Sequence, residues 1–394
     1  MEVAYLTDVE GQWEKVTTFC AGNPLVSLAG DDLVLAEGAT FVFGGDAVDR
    51  GPHGRRTVAC LTRAKLRYGD RVVLLAGNRD INKLRLAREL QGHPPPRTPD
   101  GLAGGALLRW IFSNTMGAKE AFEHRRSELG GAGDSEVVQS YLDDVAPNGM
   151  LAAYLRLCQL VHRSGATLFV HGGLGEESLG AVPGVAPIED VDAWAARLNA
   201  WYEAQMAAFA AGAREPDGTP SWEPVITYQA PLPGQRVNPE SVVYGRLADD
   251  RNDPRLPPVR VVERLRAAGV RRLVVGHTPS GDTPSILRDP GRGFEVIMAD
   301  NSYGRVRSAS RVLLDDEAAR VSGRAVLDDG REVEVGFTLP LDGDVSPIGL
   351  RTCAGGYLLK APLPDGEVLG FRYLPAYTFE QRALAAPGEA LPPY

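Results

Sequence analysis

TFVFGGDAVDRG, residues 40–51, is an apolar run of strand length that stops at two glycines and then delivers two carboxylates and an arginine. VVLLAGNRD, residues 72–80, has the same form: an apolar run, a glycine, then an amide, a cation and an acid. Between them, GRRTVACLTRAKLRYG (54–69) carries apolar residues at helical spacing. Strand, helix and strand in that order point to an α/β sheet. EVAYLT (2–7), ATLFVHGG (166–173), RRLVVGHT (271–278) and FEVIMAD (294–300) are further apolar runs that end in polar or glycine-rich residues.

In open α/β sheets, ligands bind beyond the carboxyl ends of the strands. The runs deliver there Asp8 and Glu10, then Asp46, Asp49 and Arg50, then Asn78, Arg79 and Asp80, then His171, then His277, and finally Asp300-Asn301. Each alone is weak. A histidine after a strand is more often structural than a ligand, and Asp-x-Glu is an ordinary helix-capping pattern. The constellation is stronger. Successive strand ends supply carboxylate, carboxylate, amide, imidazole and imidazole, and two of the chain's six histidines are among them. Such donors are the ligand set for Mn, Fe or Zn, and their number suits two metals sharing one bridging carboxylate.

The sequence resembles the calcineurin-like metallophosphoesterases, and within them the phosphoprotein phosphatase branch. GDAVDRG (45–51) matches that branch's GDxVDRG, and GN (77–78), HGG (171–173) and GH (276–277) follow in the family's order. The matched motifs span residues 5–303. The resemblance implies an α/β fold of the α+β sandwich kind: two packed mixed β-sheets flanked by helices, with a dimetal site at strand C-terminal ends. It implies two divalent metal ions. Asp8 and Glu10 would bind the first, Asp46 would bridge, and Asn78, His171 and His277 would bind the second. Arg50 would clamp a phosphate oxygen, a task that suits its planar fork. Arg246, in VVYGRLADD, is the candidate for the second phosphate-binding arginine, and Tyr303 is expected to border the pocket. The implied reaction is hydrolysis of a phosphate ester or phosphoanhydride by a metal-bridging hydroxide.

Two positions depart from the family. Asp8-Val9-Glu10 stands where the family has Asp-x-His. A hard, charged oxygen donor in place of an imidazole favours Mn or Fe over Zn. Asn78-Arg79 stands where the family has Asn-His, whose histidine protonates the leaving oxygen and is held by the acid corresponding to Asp49. Arginine keeps its proton, so Arg79 cannot be a general acid. Paired with Asp49 and aimed at the leaving group, it gives electrostatic stabilisation without proton delivery. Good leaving groups, such as a nucleotide phosphate or an aryl oxide, lose least by that exchange. His53 and His162 are the other histidines considered as a replacement acid, and each reads more simply as a surface or packing residue.

The 394 residues have 44% apolar and 24% charged content and a net charge of −9, ordinary for a soluble globular chain. No extended nucleic-acid surface is expected without clustered Lys and Arg. No apolar stretch reaches the roughly 20 residues of a membrane span. MEVAYLTD lacks the charged and apolar regions of a signal peptide, and the four cysteines form no CxxC, so a cytoplasmic protein with buried free thiols is expected. Residues 1–305 read as the metallophosphoesterase core, with helical insertions at about 92–165 and 180–240 expected to wall the substrate pocket. Residues 306–394 read as a β-rich extension with Asp-Gly hairpin turns and a loose tail, APGEALPPY. The expected substrate is a small phosphate, a nucleotide or a peptide. The oligomeric state is not legible. A second reading is a repurposed iron or manganese enzyme acting on a non-phosphate substrate such as a peptide, hydrolytically or oxidatively. A third is a binding module with little catalysis. Metal content together with a generic phosphatase assay separates the three.

Overall fold

The computed structural model describes residues 2–343, 346–353, 356–375, 378–385 and 390–394. Its strands are β1 (Val3–Leu6), β2 (Val26–Ala29), β3 (Asp32–Leu35), β4 (Thr40–Phe43), β5 (Val72–Leu74), β6 (Val161–Ser164), β7 (Thr167–Val170), β8 (Arg272–Val275), β9 (Ser285–Asp289) and β10 (Phe294–Met298). They continue with β11 (Arg311–Leu314), β12 (Ala318–Val326), β13 (Glu332–Pro340), β14 (Arg351–Thr352), β15 (Leu358–Pro362), β16 (Glu367–Tyr373), β17 (Phe379–Ala385) and β18 (Ala390–Leu391).

Two mixed sheets form the centre, as the resemblance implied. One has the order β13-β12-β11-β1-β4-β5, the other β6-β7-β8-β10-β9. Within them β1, β4 and β5 run parallel, as do β7, β8 and β10. Alternation along each strand explains the packing. Val3, Tyr5, Val42, Val73, Phe169, Val274 and Ile297 face the opposite sheet in one core. Their neighbours Ala4, Leu6, Phe41, Phe43, Leu168, Val170, Leu273 and Val275 face the helices in another. Strands buried on both faces read as unbroken apolar runs, which is how they appear in the sequence. Tyr5 and Phe169 stack across the sandwich with ring centroids 5.8 Å apart.

Helices cover the outer faces. Gly54–Tyr68 packs on the β5 side and Val191–Ala211 on the β6 side. The latter starts where the Asp190 carboxylate accepts from the Ala193 amide at 2.7 Å, and ends at Gly212, whose φ of 60° continues no helix. Trp194, Leu198, Tyr202 and Met206 form its buried stripe, so Trp194 and Met206 are core residues.

Four expectations need correction. The last helix of the insertion expected at about 92–165 ends at Leu155, and Val161–Ser164 is strand β6. Its partner is β7 across a turn with Gly165 at φ 56°; the VHRSGATLFV alternation is hidden by the apolar residues just before it. The β-rich C-terminal stretch is not apart from the core, because β11 pairs with β1 and carries β12 and β13 into the first sheet. The remaining strands form a third sheet, β17-β16-β15-β14-β18. Of the tail expected to be loose, 386–389 lies outside the described residues, whereas Ala390–Leu391 pairs with β14 and the Tyr394 hydroxyl donates to Asp289. Cys20, Cys60 and Cys158 are buried free thiols, but Cys353 is exposed. Among the described residues no helix is long and apolar enough to cross a membrane.

Candidate active site

The parallel strands deliver their polar residues to one cleft. Asp8 and Glu10 follow β1, Asp46 and Arg50 follow β4, Asn78 and Arg79 follow β5, His277 follows β8 and Asp300 follows β10; all of them line a cavity of about 440 Å³. His171, after β7, is fully buried behind it. Backbone bonds lace the loops together. The Asp8 amide donates to the Gly45 carbonyl, Glu10 to Asp46, and Gly276 to His171, at 3.0, 2.8 and 2.8 Å. A Cβ on Gly77 would collide with the Asp46 nitrogen and carboxylate, so the β4 and β5 loops meet only because that residue is glycine. Asp80 fastens the same junction. Its carboxylate accepts from Ala47 and Val48 at 2.8 and 3.1 Å and from Gly77 at 3.3 Å. It also caps the Asn78–Asn82 helix, and its grip on the β4 loop is not legible in the sequence.

The backbone is strained where the chemistry is. Nine described non-glycine residues have positive φ, and six of them line this cleft: Asp8, Glu10, Asp46, Asn252, His277 and Ser302. Each such residue costs on the order of 1–3 kcal/mol and persists where the surroundings enforce it.

Asp46, His171 and His277 form a buried cluster whose donor atoms all lie within 4.8 Å of one another. His171 Nδ1 lies 2.7 Å from the Gly44 carbonyl. An N–H there leaves the Nε2 lone pair facing Asn78 Oδ1 at 3.2 Å and Asp46 Oδ1 at 3.4 Å. His277 Nδ1 reaches the same Asn78 oxygen at 2.8 Å, while its buried Nε2 has no hydrogen-bond partner. Ring nitrogens and oxygens that converge in this way suit a cation between them, and a ring nitrogen fixed by a carbonyl is the usual support of a metal-binding imidazole. The donors therefore fit a divalent ion held by Asp46, Asn78, His171 and His277.

The electrostatics point the same way. Burial opposes a charge on His171, yet the Asp46 carboxylate outweighs it and lifts the imidazole to about 10. Burial pushes Asp8 up to about 6 and Glu10 up to about 7. Asp300 goes up to about 7, first by burial and then by the Asp8 charge. Asp8, Glu10, Asp46 and Asp300 share the cleft with Arg50, Arg79, Arg246 and Arg305, and a cation bound beside the carboxylates would offset the cost of burying their charge.

The other expected residues fall as follows. Asp49 lies beneath the cleft in an ion pair with Arg79 Nη1. Arg50 donates to the Gly117 carbonyl at 3.2 Å and stands over the Tyr303 ring, 5.5 Å from its centroid. Tyr303 itself lines an adjoining groove of about 1100 Å³, which meets the cleft at Ser302 and Arg305. Arg246 donates to Asn252 at 3.1 Å and keeps a buried Nε without a partner at the cleft. His53 precedes the Gly54–Tyr68 helix and His162 packs on Phe169; neither lines the cleft. The helical insertions do not wall the cavity. Its sides are Tyr244, Pro279, Tyr373 and Phe379, the last two from the third sheet. The 92–165 segment contributes backbone support instead, through the Met116 and Gly117 carbonyls that hold Arg79 and Arg50. The sequence gives no signal for Tyr373 and Phe379 as wall residues, because they sit in C-terminal strands and share no spacing with the strand-end motifs.

No protein-family model matches the chain, and no curated protein matches it. Among solved structures, it is similar to a cold-active protein-tyrosine phosphatase of a psychrophilic Shewanella species, with a TM-score of 0.46 and 16% identity over 84% of this chain and 80% of that one. It is also similar to a protein serine/threonine phosphatase from Saccharomyces cerevisiae that resembles human phosphatase PP5, with a TM-score of 0.38 and 12% identity over 87% and 84%. Likeness at this level concerns the path of the chain and not its substrate.

Proposed function

We propose that this chain is a metal-dependent phosphoesterase of the calcineurin-like kind, acting on small phosphate esters or anhydrides with good leaving groups. The observation that carries the reading is the convergence of Asp46, Asn78, His171 and His277 on one buried point beside a cleft that also holds Arg50 and Arg246. A divalent ion bound there supplies Lewis acidity and an activated water. Arg50 and Arg246, whose side chains both line the cleft, bind non-bridging phosphate oxygens. In-line attack forms one P–O bond and breaks another, and the leaving oxygen departs without a proton from Arg79. Tyr244, Tyr373 and Phe379 flank the cleft, a wall suited to a flat aromatic leaving group.

The test uses the purified chain with p-nitrophenyl phosphate. Hydrolysis should appear with added Mn²⁺, disappear with chelator, and return with fresh Mn²⁺. His171→Ala should lose both bound metal and turnover. Equal turnover with and without chelator would overturn the reading.

A further inference from the structure

We infer that this chain binds one catalytic metal ion, not two, and that the Arg79 guanidinium fills the charge position of the other between Glu10 and Asp46. This rests on the metal-dependent reading above and concerns which residues carry the positive charge.

The two candidate halves of the centre differ in geometry. Asp46, His171 and His277 present donors to a common point. Asp8 and Glu10 are not part of that cluster. The Asp8 carboxylate accepts from the Thr7 hydroxyl at 2.6 Å and from the His277 amide at 3.1 Å. Glu10 Oε2 lies 3.2 Å from Arg79 Nε and 3.5 Å from Arg50 Nε. Arg79 Nε is also 3.7 Å from Asp46 Oδ2. The guanidinium thus lies between the two carboxylates that a second ion would join.

Metal–oxygen bonds are about 2.0–2.2 Å long. An ion bound to Glu10 Oε2 would lie no more than about 5 Å from a cation that cannot lose its proton. Arg79 is also held in place. Its Nη1 pairs with Asp49 and reaches the Met116 carbonyl at 3.4 Å, and its amide donates to Asp46 Oδ1 at 2.9 Å. Asp49 is anchored in turn, because Lys83 takes its other oxygen at 2.6 Å with only 2% of the lysine side chain exposed. The side chain of Arg79 is 17% exposed, so its charge is not dissolved in solvent. Glu10 and Arg79 also account for each other. A carboxylate in place of an imidazole and a guanidinium in place of an imidazole stand 3.2 Å apart as an ion pair, although Glu10 Oε2 has no hydrogen-bond partner.

The experiment is metal stoichiometry by elemental analysis after loading with excess Mn²⁺ and removing unbound ion, with electron paramagnetic resonance on the same samples. The wild-type chain should carry about one Mn per chain, with the six-line spectrum of an isolated ion. Glu10→Gln should leave that stoichiometry unchanged. Arg79→His should raise it toward two and give the broadened spectrum of a coupled pair. Two ions per wild-type chain, or a loss of metal in Glu10→Gln, would overturn the inference and leave metal dependence standing. If Arg79→His fails to fold, the wild-type and Glu10→Gln measurements still decide it. No retained Mn²⁺ together with chelator-insensitive turnover would instead overturn the metal-dependent reading itself.

Discussion

Arg79 and Asp49 form an ion pair beneath the cleft, and Lys83 holds the second oxygen of the same carboxylate. A histidine in place of the arginine would make that pair a proton donor. With arginine it is a fixed charge.

The first prediction concerns leaving groups. Without proton delivery, hydrolysis should fall steeply as the leaving group's pKa rises, because the departing oxygen carries its full charge. Positioned general acids typically contribute ~10²–10⁴-fold. Aryl phosphates should therefore exceed alkyl phosphates and phosphoserine peptides by about that factor. Arg79→His should narrow the gap mainly by raising the slow substrates. A series of substituted phenyl phosphates measures the slope directly. A flat wild-type slope, or a clear preference for phosphoserine peptide, would sink the idea.

Arg246 supplies the second. Asn252 holds its Nη1 while the side chain lines the cleft. One hydrogen bond between charged groups contributes about 1.5–3 kcal/mol. Arg246→Ala should accordingly lower kcat/KM for a phosphomonoester by roughly 10–100-fold, with bound Mn²⁺ unchanged. Arg246→Lys should recover only part of the loss, since a lysine gives a point charge and not a fork. Steady-state kinetics beside metal analysis separates this from damage to the metal centre.

Much of this site is legible in the sequence because strand ends concentrate polar residues after apolar runs. Asp8, Asp46, Asn78 and His277 reach the cleft in that way, and His171 lies just behind it. What escapes depends on distant segments meeting. Tyr373 and Phe379 come from a sheet whose strands look like any other hairpin, and only its packing brings them to the cleft. Strand β6 is hidden because its first residues continue an apolar pattern that also suits a helix. Glu10 has the spacing of a metal ligand, but spacing cannot show that a guanidinium 69 positions later would lie against its carboxylate.

Asp80 gives a prediction about assembly of the site. One buried carboxylate accepts three amides from two different loops. Asp80→Ala leaves those amides without partners and should cost on the order of 2–4 kcal/mol, seen as a lower thermal midpoint. Because Asp46 is carried on the loop that Asp80 fastens, Mn²⁺ affinity should weaken in the same variant. Asp80→Asn keeps one acceptor oxygen and should lie between the two. Unchanged stability and affinity in Asp80→Ala would show that the loops hold themselves.

Lys360 gives the pH-dependent prediction. It is fully buried in β15, its Nζ donates to the Ser280 and Thr283 carbonyls in the segment after His277, and it stands 4.8 Å from the Phe371 ring centroid. Burial lowers it from 10.5 to about 7, opposed by the nearby Asp282 charge and assisted by Arg305. An unfolded lysine keeps its proton up to about 10.5, whereas the folded one releases it near 7. The unfolded chain therefore binds more protons between those values, and this residue's contribution to stability rises with pH across that window. Below pH 7 the cost of the buried charge is present in full. Lys360→Met removes the charge and keeps a similar volume. The variant should be most favoured over wild type near pH 6.5, and its advantage should shrink by up to about 1.4 kcal/mol per pH unit above pH 7. Urea unfolding midpoints of both proteins from pH 6 to 10 test this. A stability difference that stays constant with pH would mean that Lys360 titrates at the same pH in both states.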